Sequence, residues 1–150
     1  MMHMHHVSPT TVACVCTTLR KATRTIGRVY DEALAGHGLT TAQFAILRTI
    51  RRGEEVPLSR LAEQLVLDRT SLYRAIDPMA KAGWVALHDA PRGRTRLATL
   101  TPAGIQKLEE ADPAWEALQQ RIFDDFGAED WAAMQRALVR LSALAAGDEA

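Results

Sequence analysis

The most constraining feature of this chain is a gap of three residues. Pro57–Leu65 carries Leu58, Leu61, Ala62 and Leu65 at helical spacing. A second apolar series, Leu72, Ile76, Met79 and Ala80, runs on to Gly83, where the helix is expected to end. Only Val66, Leu67 and Asp68 lie between the two. Asp68 is a good N-cap for the second helix, because its side chain can accept from the free N–H of Thr70 or Ser71. Pro78 removes one backbone bond and should kink that helix beyond its first turns. A turn this short between two helices suits a helix-turn-helix.

Arg69, Thr70, Ser71, Tyr73 and Arg74 sit near the N-terminal end of the second helix and mostly off its apolar stripe. They offer two guanidinium forks, two hydroxyls and a phenol, the groups that read base edges and hold phosphates. An amphipathic surface helix with scattered cations would look the same in isolation. The flanking sequence separates the readings. Trp84–His88 and Thr95–Leu100 are rich in β-branched and aromatic residues and read as strands. Between them Asp-Ala-Pro-Arg-Gly-Arg places Pro91 and Gly93 at positions i+1 and i+3 of a type I turn. The outcome is a basic hairpin, carrying Arg92, Arg94 and Arg96, directly after the second helix.

Residues 39–104 resemble the winged helix-turn-helix of the MarR family of bacterial transcription regulators. The matching stretches are LTTAQFAILRTI, LSRLAEQLVLDRTSLYRAIDPMAKAGWV and RGRTRLATLTPAG. The flanking helical segments fit as well, so the likeness covers nearly all of 8–146. It implies a mainly α fold with a small β-wing, in one domain over 1–150. Within it, 39–101 would be the winged unit, 9–36 and 102–146 the dimerisation helices, and 1–8 a disordered N-terminus. It further implies a homodimer on a pseudo-palindromic operator in double-stranded DNA. The second helices would lie in successive major grooves and the wings in the flanking minor groove or on the backbone. The family's usual mechanism is repression relieved by a small aromatic ligand, or by oxidation, through a population shift. One departure stands out. The family's wing carries an Asp two residues before its key Arg; here that Arg is Arg94 and position 92 is Arg. The brace is missing or is replaced by Asp89.

Before the winged unit, Ser8-Pro9-Thr10 should open a long helix that stops at Gly36. Val12, Val15, Cys16, Leu19, Ala22, Ile26, Val29 and Ala33 form its stripe. Cys14 and Cys16 would then stand about 200° apart around it. Cys16 falls on the stripe and Cys14 on the polar face, so the two are poorly placed to bond with each other. Both are candidate redox residues, because some relatives sense oxidants through cysteine; a small core residue and an incidental surface thiol are the simpler readings. Leu39–Arg52 is the next helix, capped by Thr40, and Gly53-Glu-Glu a loop. His37 is expected to serve turn packing. After the wing, Thr101-Pro102 starts a helix kinked at Pro113 and stopped at Gly127, and Glu129–Ala145 is the last. Trp115 and Trp131 are core candidates that could instead line an aromatic effector pocket.

The formal net charge is zero, but residues 1–104 hold 14 Lys and Arg against 8 Asp and Glu, while 105–150 hold 4 against 10. A basic lobe for phosphates and an acidic part held off DNA fit that split. Two cysteines need no disulfide framework, which suits the cytoplasm. No apolar run approaches a membrane span and no secretory signal is visible. Enzyme motifs are absent: no phosphate loop, no HExxH, no GxSxG. No cofactor is expected and no metal site is seen, since His3, His5 and His6 read as a frayed terminus. Two other readings remain: a helical dimer binding small molecules or protein without DNA, and a metal-dependent enzyme resting on those histidines.

Overall fold

Around the short turn the apolar residues gather into one cluster. The computed structural model describes residues 13–147. In chain order it has α1 (Val15–Ala35), α2 (Thr41–Gly53), β1 (Glu55–Pro57), α3 (Leu58–Leu65), α4 (Arg69–Lys81), β2 (Val85–Asp89), β3 (Arg96–Leu100), α5 (Pro102–Phe126) and α6 (Ala128–Gly147). Phe44, Ile46, Leu47 and Ile50 of α2 form the centre, with Leu58 and Leu61 from α3 and Leu72, Ile76 and Met79 from α4. Leu108 and Ala111 of α5 close the other side. The expected class, mainly α with a small β-wing, is the one observed.

The sheet is antiparallel in the order β1-β3-β2. Val85 faces Leu100 and Asp89 faces Arg96 along the wing, and Val56 faces Ala98 on the other edge. β1 departs from the reading of Gly53-Glu-Glu as a loop: Gly53 ends α2, Glu54 follows it and Glu55 begins the strand. The strand is only three residues long and ends in Pro57, which cannot donate to a ladder and is tolerated because β1 is an edge. Glu54 enters it with φ +62, a backbone turn no residue pattern announced.

The joint after the wing depends on Thr101. Its hydroxyl donates to the Gly83 carbonyl at 2.5 Å and accepts from the Gly104 N–H at 3.0 Å, capping α5. A Cβ on Gly104 would collide with the Trp84 carbonyl, so only glycine lets α5 press this close. This is the physical reason behind Leu-Thr-Pro-Ala-Gly. α5 runs unbroken through Pro113 to Phe126, one helix as expected.

α1 differs from expectation. Ser8–Thr10 lie outside the described residues, but Ala13 and Cys14 are non-helical and the helix opens at Val15. The run Val-Ala-Cys-Val-Cys has several poor helix formers and no side-chain cap, which accounts for the late start. The stripe is also uncovered: Cys16 and Cys14 are both exposed, as are Val15, Leu19 and Ile26. α6 has no buried residue, and Met134, Val139, Leu141 and Leu144 stand in solvent. Trp115 packs at 5.9 Å on Phe44 with Arg48 over its ring at 4.0 Å, whereas Trp131 packs at 6.3 Å on Phe123. Trp115 and Trp131 thus each have their own aromatic partner.

Candidate nucleic-acid interface

The turn that joins α3 and α4 is closed by backbone bonds, Leu67 N–H to the Ala62 carbonyl at 2.8 Å and Val66 N–H to Glu63 at 3.1 Å. Val66 takes a left-handed conformation, φ +52, with 89% of its surface exposed. Asp68 then caps α4: Oδ1 accepts from the Ser71 N–H at 2.7 Å and Oδ2 from the Ser71 hydroxyl at 2.9 Å. Those bonds, the N–H first, with the Thr70 N–H and the nearby Arg74 charge, hold the Asp68 carboxyl below the usual carboxylate range. Leu72, Ile76 and Met79 anchor the inner face. The burial of that face turns Arg69, Thr70 and Arg74 outward, all exposed.

The expected group does not present itself evenly. The Ser71 hydroxyl spends its proton on Asp68 and keeps only its acceptor lone pairs. Tyr73 is half-buried beneath Arg69, whose guanidinium carbon lies 5.5 Å from the ring centroid. Tyr73 therefore works as a platform for Arg69 more than as a free phenol.

β2 and β3 carry the wing. Its loop, residues 91–94, is a series of bends closed by the Ala90 N–H donating to the Thr95 carbonyl at 2.9 Å. Gly93, φ +91, supplies the conformation that makes so short a return workable. Arg92, Arg94 and Arg96 are exposed. Asp89 approaches Arg96 Nε at 3.9 Å, a loose surface pair worth little. Asp89 thus pairs with Arg96, not with Arg94.

Between α3, α4 and the wing lies a cleft of about 420 Å³. Leu58, Ala62 and Leu72 form an apolar floor; Arg69, Arg94 and Arg96 give a cationic rim beside Tyr73. The fold thus gathers Arg69, Tyr73, Arg94 and Arg96 at one place. Arg74 stands farther along α4, and Arg92 does not line the cleft. Ser59 does line it, and sequence reasoning missed it; the signal was its place near the start of α3, two residues past Pro57.

Cys14 and Cys16 belong to a different region. Cys14 is the N-cap residue of α1, and the Thr17 N–H, followed by its hydroxyl, lowers the thiol's pKa although no cap hydrogen bond is closed there. Cys16 lines a groove of about 650 Å³ with Leu19 and Leu141. His3, His5 and His6 lie outside the described residues; among the described residues no three His, Cys, Asp or Glu side chains are grouped as a metal site. No helix among the described residues is long and apolar enough to cross a membrane.

Residues 39–88 match the family model described as "MarR family". An uncharacterised HTH-type transcriptional regulator of Bacillus cereus is 30% identical over 107 residues, 71% of this chain and 71% of that protein. The Mycobacterium tuberculosis transcriptional regulator MosR, solved in complex with DNA, is 31% identical with a TM-score of 0.81, covering 90% of this chain and 98% of that one. A cysteine-to-serine mutant of Escherichia coli MarR, solved with operator DNA, shares the fold at 23% identity and a TM-score of 0.76, over 85% of this chain and 92% of that one. These relatives are transcriptional regulators, not enzymes.

Proposed function

This chain belongs to the MarR family of transcriptional regulators, and from that premise we propose that it is a sequence-specific repressor acting as a homodimer on a pseudo-palindromic operator. One observation carries the reading: the outward face of α4 and the wing together present exposed Arg69, Arg74, Arg94 and Arg96, of which, among the described residues, only Arg96 comes within 4 Å of a carboxylate, at 3.9 Å. The relative at 31% identity was solved on DNA, which supports the same partner here.

Roles follow from geometry. Arg74, exposed and away from the buried stripe, reaches into the major groove, where a guanidinium can hold guanine O6 and N7 together. Thr70 and the acceptor lone pairs of Ser71 sit beside it. Arg69, steadied on Tyr73, and Arg92, Arg94 and Arg96 of the wing hold phosphate or a narrow minor groove. The exposed apolar series of α1 and α6 is the surface a second copy would cover. The chain is read as one such domain throughout, working in the cytoplasm. A small aromatic ligand, or oxidation at the Cys14 thiol, releases DNA by favouring a dimer whose two reading helices no longer match the half-sites.

The test uses a duplex selected by the protein from random sequence. Half-sites should fall about 10 base pairs apart, centre to centre. Inserting about five base pairs turns one half-site to the far face and should abolish tight binding. Unchanged affinity would refute the two-fold mode, and no binding at all would favour the helical dimer without DNA. Oxidation is tested by operator affinity with and without peroxide, in wild type and Cys14→Ser. If wild type ignores peroxide, the thiol is not the signal.

A further inference from the structure

α1 packs along α5, where the Tyr30 hydroxyl donates to Gln119 Oε1, and it meets the winged unit itself where its last turns reach the start of α2. Leu34 and Leu39, both buried, fill this joint from within, and the Leu34 carbonyl accepts from His37 at 2.9 Å. Outside, Asp31 reaches across ten residues to α2. Its Oδ1 accepts from the Thr41 N–H at 2.8 Å and from the Thr41 hydroxyl at 2.6 Å. The Thr41 hydroxyl, and after it the N–H, hold this carboxyl below its usual range, so it is charged at neutral pH. α2 thus receives an N-terminal cap from a different helix.

α2 has its own caps already. Thr40 and Gln43 form a reciprocal capping box, with the Gln43 N–H on Thr40 Oγ1 at 3.2 Å and the Thr40 N–H on Gln43 Oε1 at 3.1 Å. What Asp31 adds is direction. Two hydrogen bonds donated by Thr41 and accepted by one carboxylate oxygen fix where the last turns of α1 stand against the start of α2. α1 is 21 residues, about 31 Å long, so a tilt of about 6° at the joint moves its far end by about 3 Å. That is close to the rise of a base pair, about 3.4 Å.

We infer that Asp31 is a positioning residue that sets the angle between α1 and the winged unit and so selects the spacing of the half-sites; the inference rests on the two-fold DNA-binding reading above. Asp31 touches no DNA in this account. It acts through Thr41, and its removal loosens the choice of spacing without weakening each reading head.

Affinity is measured on the duplex selected by wild type, on versions with half-sites moved one base pair closer or farther, and on one with a scrambled half-site. Wild type should prefer the selected spacing. Asp31→Ala should lose about three- to tenfold on that spacing, with less than about twofold change on the others, so the preference flattens. Asp31→Asn keeps one acceptor and should retain part of the preference. Thr41→Ala keeps the N–H and should fall between wild type and Asp31→Ala; the double variant should be no flatter than Asp31→Ala alone. If Asp31→Ala does not fold, the ratio is read from Asp31→Asn and Thr41→Ala. A uniform loss on all duplexes, or a wild-type ratio in these variants, overturns the inference and leaves Asp31 a cap. No spacing preference in wild type overturns the two-fold reading and this inference together.

Discussion

Ile76 in α4 and Ile26 in α1 sit in the same kind of apolar helical series, yet Ile76 is fully buried and Ile26 is 48% exposed. The winged unit finds its partners within the chain: α2, α3, α4 and the sheet close over one cluster with Leu34 of α1 and Leu108 and Ala111 of α5. The arms find few, and the outer halves of α1 and α6 keep their apolar residues in water. Periodicity therefore marks a face that must be covered, and says nothing of whether the cover comes from the same chain. One half of this molecule is a folding unit; the other is a contact surface awaiting its complement.

The sharpest way to break that contrast is to cut into each half. Ile76→Ala, at a fully buried site, should cost about 2–5 kcal/mol of folding free energy, independent of protein concentration. Denaturant midpoints at two concentrations check this. Leu141→Asp on the exposed series of α6 should leave the winged unit folded and weaken self-association, losing up to about 1.5–3 kcal/mol of apolar burial at each copy of the site. Sedimentation reads the shift toward monomer, and the wild-type Tm, unlike the variant's, should rise with concentration. Equal destabilisation of the fold by both substitutions would erase the distinction drawn here.

Within the winged unit, Arg74→Ala should cost about 1–3 kcal/mol on the selected duplex and relax preference at one base pair in each half-site. Arg94→Ala should weaken selected and random duplexes more evenly and lower the salt slope by about one per subunit. If Arg74→Ala weakens both duplexes by equal factors, Arg74 is a phosphate clamp and the reading face lies elsewhere. The smallest effect concerns acid. Asp68 in the winged unit and Asp31 at the joint both have folded pKa values lowered below the ordinary value. Such groups stabilise the fold above the unfolded pKa, about 3.9, and lose that contribution as pH falls through the folded one. Stability should thus decline below about pH 4, and the Asp31→Asn/Asp68→Asn double variant should show a shallower decline in thermal melts across that range.

The winged unit was legible because its signals are local. Asp68 precedes its helix by one residue, and Thr101 likewise caps α5 from the residue before it. Pro113 interrupts the apolar series of α5 without ending the helix, which is one element as its sequence suggests. What was illegible depends on distance. β1 exists only because β3 lies alongside it. The Asp31–Thr41 bonds span a turn. Tyr73 reads as a phenol for DNA until Arg69 is seen above its ring. Of the candidate site, residue types were readable, but which arginines share a cleft was not, because the wing's path is set by the sheet.

Thr101 carries a consequence for anyone who would transplant the reading head. Its hydroxyl ties the end of α4 to the start of α5, and Gly104 lets α5 sit against the Trp84 backbone. A chimera cut at Leu100, the last residue of the sheet, would sever that tie and could place a Cβ where Trp84 leaves no room. The interchangeable cassette ends after Gly104, so the first turn of the arm must travel with the head it steers.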